Sequence, residues 1–314
     1  APAHHRAAGL TIRTSNLCSE ITLPTGIDPS GRRRTAVCCL ASVNLAHFED
    51  WRRDPRFIED CLRMLDNVLE DFIARAPEGA ADAAYAAMRE RSVGLGAMGF
   101  HSFLQARRLA MESAEARAWN HAMFAHIADQ ARAADRLLAE ERGPCPDAAD
   151  FGAMTRFSNA TAIAPTASIS ILCGCSPGVE PIAANIFTHK TLSGSQAVRN
   201  PALAGLLAEK GRDDDAVWAD ILADQGSVRS LDFLSEPERA TFKTAFEIDQ
   251  TALVDLAADR QPFIDQAQSL NLFLPPDAEK RAVHQLHLRA WRKGLKSLYY
   301  CRSRALSRAD APVR

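Results

Sequence analysis

The first residues that could do chemistry together are Ser15-Asn16-Leu17-Cys18-Ser19-Glu20. If this stretch is extended, alternate side chains share a face, so Asn16, Cys18 and Glu20 point the same way. That face offers an amide that donates and accepts hydrogen bonds, a thiol, and a carboxylate able to act as a general base. Spacing alone favours a simpler account, a strand edge with a buried cysteine, because free cysteine is among the most buried residue types. What argues for chemistry lies downstream.

Three further groups of reactive side chains follow. Cys38 sits in Thr35-Ala36-Val37-Cys38-Cys39-Leu40-Ala41-Ser42-Val43-Asn44-Leu45, a run of small, apolar and β-branched residues that suits a buried strand or the entry from strand to helix. A second thiol is then within reach of Cys18 if the two segments are neighbours. Next, a short apolar run from Asn159 enters Pro165-Thr166-Ala167-Ser168-Ile169-Ser170, where small hydroxyl residues cap a helix or turn. Free backbone N–H groups at such a place can hold an anion, phosphate above all, although a capped helix with nothing bound is the commoner use. Last, two of the three tyrosines in the chain are adjacent, Tyr299 and Tyr300. β propensity explains such a pair, but on a terminal strand beside Cys18 it would place a redox-active phenol stack against a thiol.

Composition sets the surroundings. The 314 residues are 47% hydrophobic and 24% charged, as in globular proteins, and can bury a sizeable core. A net charge of -2 gives no electrostatic reason to bind a nucleic-acid polymer or an anionic membrane. With no apolar run of bilayer-spanning length and no signal peptide, a cytoplasmic location is the expectation. In a reducing compartment the eight cysteines are free for catalysis or redox exchange. Their spacing, with Cys38 next to Cys39 and one residue between Cys173 and Cys175, does not make a zinc site, and no metal ligands are expected. The chain begins Ala1-Pro2-Ala3-His4-His5 and reads as the later part of something longer.

The elements that must position these groups are mostly helices. Apolar residues recur at helical steps over residues 54–76, and a second, Ala- and Arg-rich helix is expected over 112–141, stopped by Gly143-Pro144. Between them, Gly94-x-Gly96-x-x-Gly99 resembles a dinucleotide fingerprint but lacks a clear preceding strand; close packing of a helix against its neighbour is the expectation. Ser176-Pro177-Gly178-Val179-Glu180-Pro181 reads as a rigid turn around a carboxylate, 200–258 as further helices, and 277–293 as a helix before the tyrosines. No repeat or linker divides the chain, so 1–314 is taken as one domain.

Six stretches, in order, then identify a resemblance: Asn16-Leu17-Cys18-Ser19-Glu20; Ala36-Val37-Cys38 with Leu40-Ala41-Ser42; Pro165-Thr166-Ala167-Ser168-Ile169-Ser170; Gly178-Val179-Glu180-Pro181; Asp265-Gln266-Ala267-Gln268-Ser269-Leu270-Asn271; and Leu298-Tyr299-Tyr300-Cys301-Arg302. Together they resemble the C-terminal part of the large, catalytic subunit of ribonucleotide reductase. The implied fold is α/β, about half of that family's ten-stranded α/β barrel, with the Cys18 segment as the catalytic finger loop that enters the barrel. The family's N-terminal half, with its ATP-cone and specificity loop, is then missing, and exposed strand edges would make the piece poorly soluble without its complement.

The resemblance implies roles. Cys18 is the thiyl radical that abstracts the 3′ hydrogen of a ribonucleotide, Glu20 the base for the 3′-hydroxyl, and Asn16 a holder of the sugar, with Ser15, Leu17 and Ser19 completing the substrate-contacting loop. Cys38 is one of two thiols that reduce the 2′ position and end as a disulfide, and Cys39, where the family often has Asn, is a spectator. Pro165, Thr166, Ala167, Ser168 and Ile169 bind the substrate diphosphate. Tyr299 and Tyr300 relay the radical from a small (beta) subunit carrying a dimetal site, so this chain binds no cofactor directly. Thioredoxin or glutaredoxin, the N-terminal part of the large subunit and a second large subunit complete the implied partners. The second reducing cysteine and the family's C-terminal cysteine pair are not in this sequence, so the chain alone is not expected to complete a turnover. Two other readings stay open: an adenosylcobalamin-dependent reductase, and a non-catalytic fragment that pairs with another subunit.

Overall fold

The computed structural model describes residues 1–191 and 194–303. Strand β1 (Leu40–Asn44) and strand β2 (Gly94–Met98) pair in parallel, Leu40 opposite Gly94 and Asn44 opposite Met98. Parallel neighbours need a crossover, and here it contains the helices Phe57–Arg75 and Ala81–Glu90. Every residue of β2 is buried, the expected state of a parallel strand covered on both faces.

The parallel arrangement continues through segments too irregular to count as full strands. Leu95 bridges Thr161, and Ile163 bridges Gln268, both in parallel. Strand β3 (Leu272–Leu274) then pairs in parallel with strand β4 (Cys301–Ser303). In space the order is therefore β1, β2, residues 161–163, residues 266–274, and residues 299–303. The whole series is joined by main-chain bonds such as Leu95 N–H to Ala160 C=O at 2.8 Å, Ile163 N–H to Ala267 C=O at 3.1 Å and Tyr299 N–H to Leu270 C=O at 2.8 Å.

The glycines of β2 account for the tight spacing. A Cβ on Gly94 would lie 2.3 Å from Leu40 Cδ2, and one on Gly96 would lie 2.4 Å from the Ala162 carbonyl oxygen. The expectation of helix packing at this motif is thus corrected: Gly94 and Gly96 are strand residues that let two flanking strands close in. Gly99, at φ 82°, turns the chain out of the strand into the Phe100–Ala106 helix.

The expected helices form with slightly shifted ends, at Phe57–Arg75, Ala114–Arg142 and Lys280–Arg292. Ser113 caps the long helix by accepting from Ala116 N–H at 3.0 Å. Leu62, Leu65 and Leu69 of the first helix join Met123, Phe124 and Ile127 of the second in the core that covers β1 and β2. No described helix is long and apolar enough to cross a membrane. A smaller core around Trp218 and Phe242 lies beside the antiparallel pair Ile186–Thr191 and Gly194–Arg199.

Candidate active site

The loop that carries Cys18 is a tight turn, which corrects the expectation of an extended stretch with three side chains on one face. Ser19 N–H donates to the Asn16 carbonyl at 3.1 Å, and Ser19 takes φ 68°, a left-handed conformation that ends any alternation. Asn16 closes the turn with its own side chain, Oδ1 accepting from Ile21 N–H at 3.0 Å. The physical reason is that Asn side chains bond readily to nearby backbone and compete with extended structure. Leu17, at the tip, is 86% exposed, whereas Glu20 at the base is 2% exposed.

The loop is held by the segment that follows Asp265. Glu20 C=O accepts from Ala267 N–H at 2.9 Å, and Thr22 N–H donates to Gln266 Oε1 at 3.1 Å. Ser269 Oγ lies 2.5 Å from the Cys18 carbonyl oxygen and 2.9 Å from Glu20 Oε2. The same segment aligns the tyrosines: Tyr299 N–H donates to Leu270 C=O, and Leu272 N–H donates to Tyr300 C=O, each at 2.8 Å.

As a result Tyr299 Oη donates toward Cys18 Sγ at 3.6 Å. The Tyr299 and Tyr300 rings lie 4.0 Å apart between centroids, tilted by 35°. The hydrogen bond with Tyr300, then that with Cys18, raises Tyr299 above the ordinary phenol range. Cys38, just before β1, is open to solvent at its surface, but protein packed against it, then the charges of Glu20 and Cys18, push its thiol up to about 11. Cys38 is therefore a protonated thiol near neutral pH and close enough to feel both Glu20 and Cys18. Cys39 points the other way, into the helical core, with Sγ 3.7 Å from the Leu65 carbonyl. The assembled set is a phenol pair, two thiols and a buried carboxylate.

Pro165, Thr166, Ala167, Ser168 and Ile169 leave the sheet just beyond residues 161–163, at the carboxyl end of that segment, where parallel sheets usually bind ligands. The helix Ala167–Leu172 has no side-chain cap. The hydroxyl of Thr166 is turned away to accept from Gly178 N–H at 2.7 Å, so among the described residues no side chain caps the first N–H groups of the helix. The carboxylate turn also has a definite partner: Glu180 accepts from Asn271 N–H at 2.5 Å and from Asn271 Nδ2 at 2.9 Å. Burial holds Glu180 above the usual carboxylate range.

Against this geometry the comparisons decide the family. Residues 3–153 and 150–301 match the family model described as "Ribonucleotide reductase, barrel domain". This chain belongs to that family. It is 45% identical to a ribonucleoside-diphosphate reductase large subunit of Invertebrate iridescent virus 3, over 98% of this chain and 49% of that protein. It is 31% identical to a ribonucleoside-diphosphate reductase subunit alpha of Chlamydia pneumoniae, over 95% of this chain and 32% of that protein. Among solved structures it resembles the class Id ribonucleotide reductase alpha subunit of Actinobacillus ureae, with a TM-score of 0.87, 36% identity, and coverage of 97% of this chain and 56% of that one. The chain thus spans about half the length of the first of these relatives.

The ribonucleotide reductase barrel fold explains why the strand series is parallel and why the finger loop rests on residues 266–269. Sequence reasoning named Cys18, Glu20, Cys38, Tyr299 and Tyr300, and the fold brings these together. It did not single out Ser269 and Asn271, which hold the Cys18–Glu20 loop and Glu180 by hydrogen bonds. The only signal for them was their place in the stretch Asp265-Gln266-Ala267-Gln268-Ser269-Leu270-Asn271, which shows no periodicity of its own.

Proposed function

We propose that this chain is the part of a ribonucleotide reductase catalytic subunit that carries the radical and reduces ribonucleotides to deoxyribonucleotides, and that residues 1–314 are the C-terminal part of its barrel domain. The observation that carries this reading is the 3.6 Å approach of Tyr299 Oη to Cys18 Sγ with the Tyr300 ring tilted against Tyr299 at 4.0 Å. A phenoxyl radical at Tyr299, delivered through Tyr300 from a small subunit with a dimetal site, takes the hydrogen atom of the Cys18 S–H bond and leaves a thiyl radical. That radical removes the 3′ hydrogen of the ribose while Glu20 takes the 3′-hydroxyl proton.

Loss of the 2′-hydroxyl as water needs a proton and then two electrons from thiols. Cys38, protonated near neutral pH, fits the donor role, with its partner thiol on the part of the large subunit outside this sequence and thioredoxin or glutaredoxin restoring the pair. Asn16, whose oxygen is engaged within the loop, would hold the sugar through its NH₂ group, and Ser15, Leu17 and Ser19 would line it. Pro165 to Ile169 would receive the diphosphate on uncapped N–H groups. Exposed Leu17 and Leu172, each 86% open, support a complementary N-terminal half that covers this face.

The test is thioredoxin-driven formation of a deoxyribonucleotide by this chain combined with the remainder of the large subunit and a radical-generating small subunit. Activity that is lost in Cys18→Ser and needs no cobalamin is the expected result. Activity only with adenosylcobalamin would replace the tyrosine relay, and none from a well-folded complex would favour a pairing role without catalysis.

A further inference from the structure

Cys301 lies on β4, one residue beyond Tyr300, with its side chain open to solvent. Its place is fixed by the parallel pairing of Leu272 with Cys301 and by the bond from Leu272 N–H to Tyr300 C=O. The helix Lys280–Arg292 packs alongside, with Leu286 and Ala290 buried in one core with Leu270 and Leu272. That packing leaves His287 exposed on the helix, with its Nε2 3.9 Å from Cys301 Sγ.

The tautomer of His287 follows from its other ring nitrogen. Nδ1 lies 2.8 Å from the Val283 carbonyl oxygen, one helical turn earlier. A carbonyl can only accept, so in the neutral ring Nδ1 carries the proton and Nε2 offers its lone pair to the thiol. A nucleophile, a base within reach and a group that orients the base are the parts of an activated thiol. Among the described residues no other cysteine has a histidine nitrogen as hydrogen-bond partner. Most of the others are also held back: burial pushes Cys38 and Cys175 up to about 11 and raises Cys39, Cys61 and Cys145.

Charge selects the reagent. The helix carries Lys280, Arg281, Arg289 and Arg292 and no Asp or Glu, while Asp255 of the Gln250–Arg260 helix pairs with Arg289 at 2.7 Å. Arg302 follows Cys301 on the strand. An anionic disulfide is therefore drawn to this corner more strongly than a cationic one.

We propose that Cys301, with His287 as its base, is a modification site for small anionic disulfides of the glutathione class, and that the adduct closes the approach to Tyr300. The Cys301 sulfur attacks one sulfur of glutathione disulfide, and the S–H proton passes to His287 Nε2. A new S–S bond joins Cys301 to one glutathione, the old S–S bond breaks, and the other glutathione leaves as its thiolate. One disulfide is exchanged for another, so no further oxidant is consumed. A tripeptide extends to about 10 Å, well past the single-residue step to Tyr300, whose side chain is 47% exposed. This closing effect rests on the reading of Tyr300 as the point where the radical enters this chain.

The experiment treats the complete large subunit with glutathione disulfide, locates and counts the adducts by peptide mass spectrometry, then adds the small subunit and assays turnover. Cys301 should take up glutathione at least tenfold faster than in His287→Gln, the least that a positioned base typically contributes. It should also react faster with glutathione disulfide than with the cationic disulfide cystamine. Deoxyribonucleotide formation should fall in step with the fraction modified and return with dithiothreitol, whereas Cys301→Ser keeps its turnover through the treatment. A labelling rate unchanged in folded His287→Gln overturns the site, and equal rates with the two disulfides overturn the anionic preference. Full labelling with turnover intact overturns the closing of Tyr300. If the unmodified enzyme makes no deoxyribonucleotide, the functional reading fails while the labelling rates still decide the site.

Discussion

Tyr299 and Leu270 are joined by a main-chain hydrogen bond of 2.8 Å, one residue from the serine that holds Cys18 and Glu20. The distance from phenol to thiol is thus set by backbone pairing within residues 268–272 rather than by side-chain packing. Replacing Tyr299 by Phe keeps the ring, its stacking on Tyr300 and the strand pairing, and removes only the oxygen that faces Cys18. Turnover of the complete enzyme should fall to background while the melting temperature stays close to the original, because the ring is only half-buried and such a change typically costs within about 0.5 kcal/mol. Deoxyribonucleotide formation and a thermal melt of the same sample check both halves; retained turnover would remove Tyr299 from the radical path.

The candidate site was legible in the sequence because reactive residue types stand in short, dense stretches, and the long helices because their apolar residues recur at helical steps. The strands were not. β2 is Gly-Leu-Gly-Ala-Met, buried on both sides, so it has neither alternation nor β-branched residues to betray it. Residues 161–163 and 266–271 hold the site through isolated bridges and side-chain bonds, which no periodicity records. The finger loop was misread as extended because Asn16 and Ser19 bend it with local bonds that alternation cannot reveal.

Stability should fall with rising pH through Glu90. Its side chain is 1% exposed and its Oε2 has no hydrogen-bond partner among the described residues, with His5 Nε2 at 4.0 Å. Burial pushes it up to about 8, against the pull of Arg34 and with a further push from Asp147. A carboxyl group whose folded pKa is raised binds more protons folded than unfolded between the two values. Folding is therefore favoured at low pH and loses stability as pH rises from the ordinary carboxylate value to about 8. Glu90→Gln removes that slope, by up to about 1.4 kcal/mol per pH unit. Urea denaturation at pH 5 and pH 8 should show the variant gaining on the parent at the higher pH; a constant difference would contradict the argument.

Asp66 should behave in the opposite sense. It is fully buried on the Phe57–Arg75 helix and accepts from Arg91 Nη2 at 2.7 Å, Arg142 Nη1 at 2.7 Å and Arg156 Nε at 3.2 Å. Burial alone would raise it, but these guanidinium groups outweigh burial and hold it below the usual carboxylate range. Its contribution is present above the ordinary carboxylate pKa and lost as pH falls. Asp66→Ala leaves buried Arg91 to Glu70 and buried Arg156 to the Arg142 and Gly143 carbonyls, and should cost up to about 3–5 kcal/mol. A midpoint shift of under a quarter of that in urea would show the network to be of little weight.

Cys38 and Cys39 are adjacent just before β1, and their opposite facing should give their substitutions opposite outcomes. Cys38 faces the Glu20 and Cys18 corner, whereas Cys39 is buried with its thiol against the Leu65 carbonyl. On the proposed function, Cys38→Ser abolishes multiple-turnover reduction with the fold intact, because a hydroxyl cannot form the disulfide that stores the two electrons. Cys39→Ala should leave turnover within about twofold and lower stability by about 1 kcal/mol, the loss of one buried sulfur from the core. Assays with thioredoxin and urea titrations on the two variants make the comparison. Equal loss of turnover in both would mean that Cys39, not Cys38 alone, reaches the substrate, and would overturn the register that places β1 in this site.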